Sequence, residues 1–359
     1  MDEITRLLID LMAFRTTEDN PTQIRKCADY IKKNLNIQGI IVREYVRNGK
    51  ISIVALFSKT KSTQIFFNAH FDIVSASEKF YKPKLMGNKL HGRGSEDCKA
   101  QVAALVHLMR HFAKQKIKPN IGIMLTSDEE IRGNDGVKYL LYKAGYSCEF
   151  ALVADGGDDW NIVTKHKGVL QVRLSSIGKS AHASRYWEGG ENAIEKLVKA
   201  YSEVQKLFPK LKSAAWRTTA NLSKFQAGGT INMVPDYAEL YLDIRYTEKD
   251  SEKKIIGKLK GIKGIQVKKI AGAGNLITNK NNPYIRQLKV SAEKILKQKI
   301  KTFHEHGATD ARYFSAKGIP AILFKPLGFG AHSEREYVLV STIKPFFDIL
   351  VDFVNKTAK

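Results

Sequence analysis

QIFFNAHFD, residues 64–72, runs a short apolar segment straight into a histidine and an aspartate. Gln64–Ala69 has the length and near-continuous apolar character of a strand buried on both faces of a sheet. The same junction recurs downstream. Ile121–Thr126 runs into Ser127-Asp128-Glu129-Glu130, and Phe150–Ala154 runs into Asp155-Gly156-Gly157. Ile51–Phe57 and Ala321–Phe324 are further strand-length runs, and helical periodicity fills Ala100–Ala113 and Asp135–Lys143. Short apolar strands alternating with helices predict an α/β fold, a mostly parallel sheet sandwiched by helices. Open sheets of this kind place their ligands at the carboxyl ends of the strands, where these polar clusters stand.

Toward the N-terminus, Ile4, Leu7, Leu8 and Leu11, then Ile24, Cys27, Ala28 and Ile31, give Asp2 to about Asn36 a helical period. A different rhythm begins near Gly168. Val169–Ser176 reads as a strand, Asn192–Leu207 as a helix, Asn221–Phe225 and Ala238–Tyr246 as strands, Ser251–Leu259 as a helix and Ile265–Ile270 as a strand. That β-α-β-β-α-β order is the ferredoxin-like split pattern, a complete small α+β domain. Helix (Pro283–Leu296), strand and helix (Ile343–Val354) then resume. The expected organisation is an α/β domain in two parts, 1–167 and 274–359, interrupted by an inserted α+β domain over 168–273.

Composition narrows the class. At 359 residues the chain exceeds the size of a single core, and 43% apolar with 26% charged residues excludes a disordered or collagenous chain. Cys27, Cys98 and Cys148 are too few and too scattered for a disulfide framework or a CxxC metal site. The start, MDEITRLLIDLMAF, carries acids where a signal peptide needs bases, and no uninterrupted apolar run is long enough to span a bilayer. A soluble, reduced, cytoplasmic protein with no membrane partner is expected. The net charge of +23 comes from 44 lysines and 15 arginines against 36 acids. Lysine is spread along the whole chain, and no helix-turn-helix, RRM or zinc-finger signature accompanies it. A solvated lysine-rich surface is therefore expected rather than a specific nucleic-acid partner, although the charge can concentrate anionic substrates.

A lone His or Asp in a loop is usually solvated or caps a helix. Several converging on one sheet edge are another matter, because gathered carboxylates repel unless a cation neutralises them. A mixed His/carboxylate set suits Zn²⁺, Co²⁺ or Mn²⁺, and the adjacent Glu129-Glu130 pair can divide the work of ligand and general base. Competing signals are weak. Gly178-Lys179-Ser180 lacks the first glycine of a P-loop, since Arg173 holds that place. His304-Glu305-His306 is not HExxH, and no GxSxG elbow is present. His107, His111 and His166 read as surface or packing residues.

His70-Phe71-Asp72, Gly92-Arg93-Gly94-Ser95-Glu96-Asp97, Asp128-Glu129-Glu130, Asp155, Gly178–His182, Asn232–Asp236, Asp243-Ile244-Arg245, Gly307–Arg312 and Gly330-Ala331-His332-Ser333 follow one another in this chain. In that order and spacing the sequence resembles the M20 metallopeptidases, which include glutamate carboxypeptidases, aminoacylases, acetylornithine deacetylase and succinyl-diaminopimelate desuccinylase. The resemblance implies two divalent metal ions, zinc first and cobalt or manganese as alternatives. Asp97 would bridge them, with His70 and Asp155 completing one site and Glu130 and His332 the other. Glu129 would be the general base and Asp72 the carboxylate that orients His70. The inserted domain would be the lid and dimerisation domain of a homodimer. There His182 would stabilise the oxyanion, and Asn232 and Arg245 would hold the substrate carboxylate. The Gly307 and Gly330 loops would line the pocket.

The implied reaction is hydrolysis of a peptide or N-acyl amide bond beside a free carboxylate. The Ala181–Ser184, Gly307–Arg312 and Gly328–Ser333 segments look nearer the carboxypeptidase branch than the desuccinylases. A biosynthetic N-acyl-amino-acid deacylase is the alternative, and a non-catalytic binding protein would need a broken site position. Three departures from the commonest pattern are present. Cys98 follows Asp97 and reads as a small packing residue, Asp155 stands where some members use Glu, and Lys325-Pro326-Leu327-Gly328 replaces a glycine-proline pattern near the pocket.

Overall fold

Asp2 and Asn20 each start a helix. The Asp2 carboxylate accepts the backbone N–H groups of Ile4 and Thr5, both at 3.0 Å, and so caps Glu3–Met12. The Asn20 side chain caps Pro21–Leu35, with Pro21 in the first turn, where its missing N–H costs nothing. In the computed structural model, which describes residues 1–358, the N-terminal segment is thus two helices broken over 13–20. Both lay their apolar faces against the almost wholly buried helix Lys99–Ala113.

The chain divides into two compact units. Unit 1 comprises residues 1–165, 276–305 and 309 onward; unit 2 comprises 166–275 and 306–308. At the centre of the large sheet of unit 1, Ser62–His70 lies between Ile121–Thr126 and Ser147–Val153, and Ser147–Val153 is followed by Ala321–Leu323, every neighbour parallel. Antiparallel pairs flank this centre on both sides. Lys50–Leu56 pairs antiparallel with Ile121–Thr126, and Ile162–His166 antiparallel with Ala321–Leu323. The sheet is therefore mixed, with the parallel pairing expected from the apolar runs at its middle. A hairpin is the cause at one edge. Asn48-Gly49, both at positive φ, turns Ile41–Arg47 directly into Lys50–Leu56, the Asn-Gly loop that favours antiparallel neighbours.

Register decides what meets at the carboxyl edge. His70 pairs with Thr126, so Ser127–Glu130 begins beside it, and Asn68 pairs with Val153, two residues before Asp155. A separate four-stranded sheet joins Lys84–Met86 and Lys89–His91 to Tyr337–Leu339 and Gly328–Phe329. It brings residues near the C-terminus to the loop that carries Asp97.

Unit 2 has the element order Gly168–Ile177, Ala193–Leu207, Thr219–Ala227, Tyr237–Tyr246, Glu252–Lys260 and Gln266–Ala273. Its strands form one antiparallel sheet in which the first lies between the third and the fourth, a ferredoxin-like arrangement. Alternate residues Leu170, Val172, Leu174, Leu240, Leu242 and Ile244 face the two helices and form its own core.

Candidate metal centre

Strand ends and the loops behind them gather five potential donors in unit 1. Two groups of three share one member: His70, Asp97 and Asp155, and Asp97, Glu130 and His332. Within each group the donor atoms lie within 4.8 Å of one another. Asp97 presents a different oxygen to each imidazole. Its Oδ1 is 2.9 Å from His70 Nε2, and its Oδ2 is 3.2 Å from His332 Nε2. His332 Nε2 also lies 3.0 Å from Glu130 Oε2. One carboxylate standing between two such sets is the geometry a pair of bridged cations requires, and the imidazole–carboxylate donor set fits zinc-like ions.

The far side of His70 is occupied. Its Nδ1 is 3.1 Å from the Asp72 carbonyl oxygen and 3.4 Å from Asp72 Oδ1, which leaves Nε2 for a ligand. Asp72 Oδ2 also accepts the Glu130 backbone N–H at 3.1 Å. One buried residue therefore holds the ring through its carbonyl and, through its side chain, the loop that carries a second donor.

The electrostatics show what a cation would relieve. Burial pushes Asp155 up to about 7, reinforced by the nearby Asp97. Burial also raises Glu129 well above the ordinary carboxyl range, helped by Asp155 and Asp310 and opposed by His70 and Arg312. Asp97 is held low: burial works against its charge, but hydrogen bonds from His332 and His70 outweigh it. Hydrogen bonds to Asp97 and Glu130 in turn push His332 up to about 10.

Around the donors lies a shell of buried charges. Glu336, wholly buried, takes the Arg93 guanidinium on Oε2, while its Oε1 accepts the N–H groups of Glu96 at 3.0 Å and Asp97 at 3.3 Å. Lys325, which departs from the glycine-proline pattern, is turned inward and pairs with buried Glu96. Arg312 places Nη1 3.9 Å from Glu129 Oε1 and donates from Nη2 to the Arg132 carbonyl at 2.9 Å. Arg93, Glu96 and Arg312 stand inside sequence motifs, but nothing in the sequence pairs them with these partners, and Glu336 stands outside every motif. Charged residues embedded among glycines in Gly92–Asp97 and Gly307–Arg312 were the available signal. Cys98 is buried and donates to the Ala154 carbonyl at 3.4 Å, in keeping with packing.

Gly330 also lies in unit 1, at φ +84°, where a Cβ would come within 2.9 Å of the Arg335 backbone. The remaining named residues fall in unit 2. His182 bridges antiparallel to Met233, and the neighbouring Ala183 N–H donates to the Asn232 carbonyl at 2.9 Å, so the His182 and Asn232 loops adjoin. The His182 ring lies 2.8 Å from the Ser184 hydroxyl. Arg245 lies on Tyr237–Tyr246 and ion-pairs with Asp243 at 2.6 Å. Gly307 belongs to the short 306–308 segment of the same unit.

Residues 66–356 match the model of peptidase family M20/M25/M40. A succinyl-diaminopimelate desuccinylase of Rickettsia akari is 25% identical, covering 97% of this chain and 98% of its own. That of Wigglesworthia glossinidia brevipalpis is 29% identical over 64% and 65%. Among solved structures, an aminopeptidase PepT from Bacillus cereus superposes with a TM-score of 0.84 at 20% identity, covering 99% of this chain and 98% of that one. An M20 family metallo-carboxypeptidase from Sulfolobus solfataricus gives 0.78 at 18% identity over 99% of both. At such identities these likenesses establish a shared fold.

Proposed function

The chain belongs to peptidase family M20/M25/M40 and is a metal-dependent hydrolase; on that premise we propose that it cleaves a peptide or N-acyl amide bond adjacent to a free carboxylate. The observation that carries this reading is Asp97, one oxygen toward His70 and the other toward His332, with the raised Glu129 carboxyl buried close by. His70, Asp97, Asp155, Glu130 and His332 would hold two divalent cations, zinc by preference. Bound there, such ions supply Lewis-acid activation of water and of the scissile carbonyl.

The chain's own residues do the rest. Glu129 takes a proton from the attacking water and passes it to the leaving amine, and its raised proton affinity suits that exchange. Arg312 restrains the Glu129 carboxylate from one side, and Asp72 fixes the His70 ring. His182 is assigned the developing oxyanion, Asn232 and Arg245 the substrate carboxylate, and the Gly307 and Gly330 loops the pocket wall. We place the functional species as a homodimer formed through unit 2.

The desuccinylase relatives support a second reading, an N-acyl-amino-acid deacylase. A panel of dipeptides and N-acyl amino acids, assayed with Zn²⁺, Co²⁺ or Mn²⁺ and then with chelator, separates the two. Glu129→Gln should lower turnover by about 10²–10⁴-fold while two equivalents of metal remain bound. Full turnover in that variant would overturn the base assignment. Silence across the panel with metal bound would favour a binding protein.

A further inference from the structure

A cavity of about 900 Å³ in unit 2 lies between its two helices and holds no residue assigned above to catalysis. Five lysines line it. Lys196, Lys199 and Lys206 come from the Ala193–Leu207 helix, and Lys258 and Lys263 from the end of Glu252–Lys260 and the loop beyond; Glu203 is the single acid. The positions on the longer helix, 196, 199, 203 and 206, fall on one stripe because they recur at three- and four-residue steps. Ala200, Leu207 and Ile262 supply apolar surface between the amines. Like charges thus face one another across a cleft with an apolar floor, an arrangement that an anion relieves.

Neighbouring acids answer only part of this charge. Lys196 pairs with Glu191, Lys206 with Glu203 at 2.7 Å and Lys258 with Asp250 at 3.3 Å. Among the described residues the side-chain amines of Lys199 and Lys263, one on each wall, make no hydrogen bond or ion pair. From Lys196 to Leu207 the helix wall is about 16 Å long, room for roughly five residues of extended chain. The lining has no arginine and no aromatic side chain. It therefore lacks both the bidentate fork that grips phosphate and the rings on which bases stack.

We propose that this cleft docks an acidic polypeptide segment, carboxylates to the lysines and alternate apolar side chains to the floor. Amines as mobile point charges suit carboxylates whose spacing varies, and the apolar floor distinguishes a polypeptide from a plain polyanion.

The test uses the metal-loaded full chain and a fluorescein-labelled peptide of alternating glutamate and leucine, capped at both ends against exopeptidase attack. Fluorescence anisotropy should show saturable binding that weakens with salt. Binding should also weaken when serine replaces the leucines. Lys199→Glu/Lys263→Glu should weaken binding by at least about tenfold, with turnover of a small substrate unchanged. Binding of equal strength in the double variant would overturn the proposal. So would tighter, variant-sensitive binding of a single-stranded oligonucleotide, or loss of the peptide site on self-association measured by sedimentation.

Discussion

Removing the charge of Glu336 should destabilise unit 1 without removing a single donor of the metal cluster. Glu336→Gln keeps the side-chain volume and an oxygen for the N–H groups of Glu96 and Asp97, but it leaves the Arg93 guanidinium buried with no counter-ion. Both residues are at most 3% exposed, and arginine cannot escape by losing its proton. Stripping one partner from a buried pair costs about 3–5 kcal/mol. In a unit of about 250 residues each kcal/mol moves the melting point by roughly 2–4 °C, so a fall of about 10 °C is expected. Arg93→Met/Glu336→Gln should recover at least about 2 kcal/mol relative to the sum of the single changes, because no orphan charge remains. Urea titration followed by Trp160 emission, in a Trp187→Phe/Trp216→Phe background, reports unit 1 alone. A Glu336→Gln loss below about 1 kcal/mol, or strict additivity in the double variant, would refute the reasoning.

Asp72→Ala should weaken metal binding by about 10–100-fold, since the carboxylate 3.4 Å from His70 Nδ1 and the acceptor of the Glu130 N–H are both lost while the Asp72 carbonyl remains; competition against a chromogenic chelator reads this, and unchanged affinity removes the Asp72 carboxylate from that role. Gly178→Ala should cost unit 2 about 2–3 kcal/mol, because its Cβ would stand 2.0 Å from the Glu191 carbonyl oxygen; a neutral result by urea titration contradicts the packing described. Burial pushes Cys27 up to about 11 and Cys98 and Cys148 up to about 12. At pH 8 roughly one thiol in a thousand or fewer is then thiolate, so the native protein should resist a disulfide reagent that labels all three after unfolding. Fast stoichiometric labelling of the folded chain would show that these thiols are exposed.

What could be read from the sequence was what local pattern controls. Ile121–Thr126 and Pro283–Leu296 fall on the stretches their apolar runs and periodicity marked, and the neighbouring elements shift by one to a few residues. Ile41–Arg47 escapes a pattern reading because it is half-buried and its apolar residues come in pairs rather than alternating, and it reads as a strand only when Asn48-Gly49 is seen as a hairpin turn. The break between the first two helices falls at Thr16–Pro21, a polar stretch that ends in the capping Asn20 and Pro21, and the apolar sets on either side, each helical in its own period, hide it when they are read as one segment. Within the site, the donors stand at strand ends or on glycine-rich loops, so pattern and position agree. The shell behind them is different. Arg93 and Glu336 lie 243 residues apart, and no periodicity couples positions so distant. Lys325 looks like a solvated base until burial shows Glu96 beside it.

Unit 1 is discontinuous, and this has a consequence during synthesis. Four of its clustered donors, His70, Asp97, Glu130 and Asp155, leave the ribosome well before His332, with the whole of unit 2 between them. At about 5–20 residues per second, the interval between Asp155 and His332 lasts on the order of 10–35 seconds. Throughout it the nascent chain displays an incomplete chelating set and a sheet lacking its Ala321–Leu323 strand. The inserted unit, whose sheet is complete by Ala273, can fold meanwhile. If these five residues hold the metal ions as proposed, full metal loading waits until the His332 segment has left the ribosome.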